Sequence, residues 1–148
     1  MIRFKFKALY FNTQKVRSMV DAATIRSLSR FGAYVRRTAK QSIRRRKKPS
    51  MPGNPPSSHT GLLKKFIWFG YDPARRSVVI GPAKLTLPGE TPHVLEHGGR
   101  NVTTIKYGSK SKRKRSKRIV KIKARPFMQP ALEKNRPELP KLFRDSVK

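Results

Sequence analysis

The stretch TQKVRSMVDAATIRSLSRFGAYVRRTAKQSIRR, residues 13–45, decides the fold. Val16, Val20, Leu28, Phe31, Val35, Ala39 and Ile43 recur in it at three- and four-residue steps, with Thr24 filling the gap. That is the repeat of one helix face. Arg17, Arg30, Arg37, Lys40 and Arg44 lie mostly off the stripe, and Asn12 or Thr13 can accept the first backbone N–H groups as a cap. The spacing predicts one long amphipathic helix over about residues 13–45.

Working outward from it, residues 2–11 alternate Ile2, Phe4 and Phe6 with Arg3, Lys5 and Lys7, the period of a half-buried strand. Downstream the helix runs into Arg44-Arg45-Arg46-Lys47-Lys48 and then a Pro-, Gly-, Ser- and Asn-rich segment to His59, read as a basic loop. Leu62–Tyr71 and Ser77–Ile80 are apolar, β-rich runs flanking Asp72-Pro73-Ala74-Arg75, which reads as a hairpin. A second hairpin joins Val102–Tyr107 to Ile119–Lys123 across a tip, Ser109–Arg118, made almost wholly of Lys, Arg and Ser. The C-terminus returns to helix with Ala131, Leu132, Leu139, Leu142, Phe143 and Val147, interrupted at Pro137.

At 148 residues the chain fits a single domain, residues 1–148. The expected class is α+β, with the long N-terminal helix and the C-terminal helix packed on an antiparallel sheet and two extended basic loops projecting. Those loops, about 46–59 and 109–118, lack core-forming residues and are expected to be mobile.

Charge is the fact that needs explaining. There are 37 Lys and Arg against 7 Asp and Glu, a formal net charge of +30. No acid occurs from Ala22 to Tyr71, or again from His97 to Leu132. Such stretches are uncompensated fields, and a polyanion or an acidic protein would supply the missing counter-charge. The candidate phosphate contacts are Arg44, Arg45, Arg46, Lys47 and Lys48 in the first run. In the second they are Lys110, Lys112, Arg113, Lys114, Arg115, Lys117 and Arg118. No helix-turn-helix, zinc finger or RNA-binding strand signature accompanies them, so contact without base reading is the expectation.

There are no cysteines, which excludes disulfides, thiolate zinc sites and thiol catalysis. The N-terminus has no continuous apolar region of a secretory signal, and no apolar run reaches the ~20 residues that span a membrane. His93-Val94-Leu95-Glu96-His97 has the H-x-x-E-H form of a zinc peptidase helix. Pro92 before it and Gly98-Gly99 after it leave about one turn, and no acid follows before Glu133 to act as third ligand. Neither metal nor catalysis is expected there. Phe66, Trp68 and Phe69 could stack on bases, but aromatics in a strand more often build core.

Two segments carry a resemblance. Thr60-Gly61-Leu62-Leu63, leading into the first hairpin, resembles the "TG-x-L" strand start of a phage tail-component family. Ala124-Arg125-Pro126-Phe127-Met128-Gln129-Pro130-Ala131-Leu132 looks very like that family's closing "ARPF-x-x-PAL" motif, and His93–Gly98, with Glu96 and Gly98, resembles its intervening "V-x-x-G" segment. The family comprises the tail-completion, or head–tail joining, proteins of long-tailed phages, of the lambda minor tail protein Z kind. The resemblance runs from the long helix to the C-terminus. It implies an α+β protomer in a homo-oligomeric ring of the virion neck, between head connector and tail tube or terminator. It also implies no catalytic activity; no cofactor and no membrane are expected, the basic runs add non-specific contact with viral DNA, and assembly is expected in the host cytoplasm. The sequence departs from the family pattern in its charge. A ribosomal or other RNA-binding protein is the rival that the same charge and size suit. A DNA-condensing or nuclear-targeted peptide rests only on Lys110–Arg118.

Overall fold

A computed structural model describes residues 12–83, 91–107, 114–144 and 146, with backbone alone for 103–107 and 114–115. The element order is α1 (Thr13–Ser42), α2 (Leu62–Lys65), β1 (Ile67–Asp72), β2 (Ser77–Pro82), α3 (Thr91–His97), β3 (Gly99–Tyr107), β4 (Lys114–Ile122), α4 (Met128–Asn135) and α5 (Glu138–Arg144). The class is α+β, as the sequence predicts. The strand expected over residues 2–11 lies outside the described residues.

Helix α1 is the spine. Its 30 residues extend about 45 Å at the usual rise, and Asn12 caps it by accepting the Lys15 N–H at 2.9 Å. The buried positions of its C-terminal half, with Ile43 just beyond, are Phe31, Gly32, Val35, Ala39 and Ile43. Against them pack Ile67 from β1, Val78 and Ile80 from β2, and Phe127 and Ala131 of the C-terminal segment. Gly32 marks the closest approach: a Cβ there would lie 2.8 Å from both Phe69 and Val78 side-chain atoms. Arg36 fastens the same contact by donating its Nε–H to the Ile67 carbonyl at 2.8 Å. Ser27 donates to the Leu142 carbonyl and Asn135 to Thr38 Oγ1, which tie α5 and α4 to the spine.

Four expectations are corrected. Val16 and Val20 are not core: they are 41% and 50% exposed, because the described elements packed on α1 meet it from about Ala23 onward. The sheet is not one sheet but two separate hairpins, β1–β2 and β3–β4. The first turns an apolar face to α1. On the second, Arg118, Ile119, Val120 and Lys121 of β4 and Val102 of β3 are all exposed, so these described residues pack on no other element. Residues 62–65, read as strand, form helix α2, entered through Gly61 at φ +79°. Finally, 114–118 belong to β4, so the second basic loop is shorter than the 109–118 expected, and its tip at 108–113 lies outside the described residues. The C-terminal helix divides into α4 and α5 at Arg136-Pro137, where the proline has no N–H to continue the ladder.

Candidate nucleic-acid interface

Two of the motif segments, His93–Gly98 and Ala124–Leu132, meet at one junction. Helix α4 presents the amides of Phe127, Met128, Gln129 and position 130 without intrahelical partners, as every helix start does. The Glu96 carboxylate, from α3, accepts the first three: Phe127 N–H at 2.9 Å, Met128 N–H at 3.1 Å and Gln129 N–H at 2.8 Å. The fourth position is Pro130, which has no N–H to satisfy. A cap supplied from 31 residues away and a proline thus complete the helix start between them. Phe127 anchors it from below at 1% exposure.

Ala124 and Arg125 extend the junction. The Ala124 carbonyl accepts from Gly53 N–H at 2.9 Å, Arg125 N–H donates to the Leu95 carbonyl at 2.6 Å, and Arg125 Nε–H donates to the Ser50 carbonyl at 2.9 Å. Gly98 closes α3 in the left-handed region, φ +79°, where its N–H reaches the Val94 carbonyl and a Cβ would sit 3.1 Å from the Ala124 nitrogen. Thr60 and Gly61 act locally: Gly61 N–H donates to Ser58 Oγ at 2.9 Å and Leu62 N–H to Thr60 Oγ1 at 3.4 Å.

This junction also accounts for the H-x-x-E-H pattern. The segment is a seven-residue helix rather than one turn, and it brings the His93 and His97 rings within 4.8 Å. Its Glu is engaged by three amides, so the residue that would act as base is a helix cap. Among the described residues no three His, Asp or Glu side chains gather as a ligand set.

The basic residues surround this frame. Arg44 to Lys48, just beyond α1, are all exposed, and the loop that follows returns to them at Ser58. The Arg44 carbonyl accepts the Ser58 N–H at 3.0 Å, and Pro56 and Ser58 are buried. These anchors are backbone groups and a proline, which composition does not reveal. Arg44 and Arg46 line an open groove with Met51 and Asn54.

The second basic segment stands on the β3–β4 arm. Its register, Gly99 with Ile122 through Tyr107 with Lys114, makes a nine-residue ribbon about 26 Å from first to last residue. Lys117, Arg118 and Lys121 are exposed along β4, and Arg100 on β3 adds to them. Of the residues expected in this run, Lys114 and Arg115 are on the strand with side chains not described, and Lys110, Lys112 and Arg113 lie outside the described residues. The base of the arm is joined at Ala124 and Arg125 to Gly53 and Ser50 of the loop that follows Arg44–Lys48.

A third basic site was missed by sequence reasoning. Trp68, expected in the core, is 54% exposed on the outer face of β1. Arg36 lies 5.3 Å from its ring and Lys40 Nζ 5.8 Å. Lys40 also donates to the Lys65 carbonyl at 3.4 Å. Partial burial, with Arg36 and Lys64 nearby, holds its ammonium below the usual lysine range. The signal was present in the period of β1: once Ile67 faces inward, Trp68 must face outward.

Among the described helices none is long and apolar enough to cross a membrane. Compared with known proteins, the chain matches no family model, no curated protein and no solved structure.

Proposed function

We propose that the chain is a structural, non-enzymatic part of a phage neck, one protomer of a ring through which viral DNA passes and whose phosphates it contacts without reading sequence. The observation that carries this is the β3–β4 arm, a ribbon exposed along β4 and lined by Lys117, Arg118, Lys121 and Arg100. A lone two-stranded ribbon of this kind is marginal in water and gains stability from neighbours or a ligand. Its charge fits a polyanion, and the spread of that charge along the ribbon fits a rod of regularly spaced phosphates rather than a small ligand. The resemblance of the Ala124–Leu132 segment to the tail-completion motif supports the neck as the setting, with connector, terminator or tube proteins as neighbours. The Glu96 cap supports a structural reading of the segment that otherwise suggests a peptidase.

Electron microscopy of the purified protein tests the proposal directly: closed rings, and the chain's presence in purified virions, are the expected results. Co-sedimentation with ribosomal subunits, without rings, would replace it by the RNA-binding alternative.

A further inference from the structure

The outer face of β1–β2 is an open floor with one aromatic on it. Trp68 has Gly70 two residues on, on the same face, and Gly81 directly opposite in the register. A Cβ built at Gly70 or Gly81 would meet nothing within 4 Å. The indole therefore does not lie over its cross-strand glycine, the usual structural reason for such a pair. It leans instead toward α1, where Arg36 and Lys40 lie against it. Arg36 is held in place by the Ile67 carbonyl, so one cation beside the ring is pre-positioned.

No carboxylate pairs with Arg36, Lys40, Lys64 or Lys65 among the described residues, and no acid occurs in the sequence between Asp21 and Asp72. Desolvation, with the Arg36 and Lys64 charges nearby, holds the Lys40 ammonium below its ordinary range, and an anion beside it would favour the charged form. From this site α1 continues two residues past Lys40 to Ser42 and delivers the chain to Arg44–Lys48, so positive charge runs on from the indole.

An exposed aromatic, glycine-bared space beside it and unneutralised cations around it are the parts of a single-strand stacking site, in which a base lies on the ring and flanking phosphates meet the lysines. We propose that Trp68, with Arg36, Lys40 and Lys64, binds an unpaired nucleotide of a single-stranded nucleic acid, its base stacked on the indole. The inference stands apart from the neck reading, since a paired duplex does not offer the face of its bases and an RNA-bound protein could use the same site.

Trp68 is the sole tryptophan, so indole emission reports from this site alone. The full-length protein would be titrated with a short oligothymidylate, an abasic strand of equal length, a duplex, an oligouridylate and a polyglutamate peptide. Strong quenching by the thymidylate with little from the abasic strand or the duplex is the expected result. Equal quenching by oligouridylate would assign the site to RNA as readily as DNA and leaves the proposal standing. Trp68→Leu should weaken thymidylate binding about tenfold, the scale of one base–aromatic stack, and Trp68→Phe should recover part of it. Abasic-strand affinity should stay within about twofold, because its cations are untouched. Equal quenching by intact and abasic strands overturns the proposal, as does duplex quenching equal to that of the single strand. Quenching by polyglutamate as strong as by thymidylate would assign the patch to an acidic protein partner instead. The wild-type comparison requires no variant to fold.

Discussion

Glu96 and Phe127 hold one helix start from two sides, the first by charge-assisted hydrogen bonds and the second by burial. Replacing Glu96 by Ala removes the acceptor of three amides, and a loss of about 2–3 kcal/mol is expected from cap and charged hydrogen-bond values. Glu96→Gln keeps one good acceptor and should fall between, which denaturant titration of the three proteins would resolve. Phe127→Ala should cost about 3–5 kcal/mol, since the ring is wholly enclosed and the surrounding helices cannot collapse onto the space. A loss under 1 kcal/mol in either alanine variant would show the junction to be something other than the keystone of the C-terminal segment. At this scale the sequence was only partly legible. Phe127 was legible as part of the closing motif, with Pro126 before it to fix the chain's entry. The role of Glu96 was not, because a carboxylate that caps a helix 31 residues away leaves no local spacing to find. Arg125 was legible as part of a motif but not as the clasp on Ser50, for the same reason.

Among the elements, α1 was the most legible, predicted over about 13–45 and found over Thr13–Ser42. Its apolar stripe misled in the N-terminal half, where Val16 and Val20 are exposed and Ala23 and Ser27 rather than Thr24 and Leu28 are buried, since periodicity tells which residues share a face and not whether that face has a partner. The β3–β4 hairpin was found but its tip misplaced, because a Lys/Arg-rich strand exposed to water has no alternation to distinguish it from a loop. Two measurements bear on these elements. Neutralising Lys114, Arg115, Lys117 and Arg118 should flatten the log–log salt dependence of DNA binding by a few units, at about 0.9 per phosphate released, while leaving ring assembly intact. An unchanged slope with lost assembly would make the arm a docking element for a neighbouring protein. Brief trypsin treatment should cut first at Arg45–Lys48 and near Lys117–Arg118, which are exposed, before any site within residues 26–40 of α1. Early cleavage inside that helical stretch would contradict the packing described.

For the whole molecule the governing quantity is a net charge of +30 on 148 residues. Like charges on that scale oppose compaction, and screening them shortens their reach from about 30 Å at 0.01 M salt to about 3 Å at 1 M. The thermal midpoint should therefore climb over that salt range, by about 2–4 °C for each kcal/mol of repulsion removed. A midpoint that stays level would mean that the charges are spaced widely enough not to oppose folding. Composition made this scale legible, and both hairpins were readable from their strand and turn residues, whereas their separation into two sheets was not, because lateral pairing between hairpins leaves no mark on either one's own sequence. The occupied start of α4 adds a consequence for traffic. A helix start is the ready-made seat for phosphate, where backbone amides converge and the dipole is positive. Here Glu96 already sits in that seat. On the proposed function, a nucleic acid drawn to this surface would find that seat taken and would meet instead the long side chains of Arg44–Lys48 and of Lys117, Arg118 and Lys121, which can hand a phosphate from one to the next. A grip made that way behaves as a bearing rather than a latch, letting the polymer slide lengthwise while holding it radially.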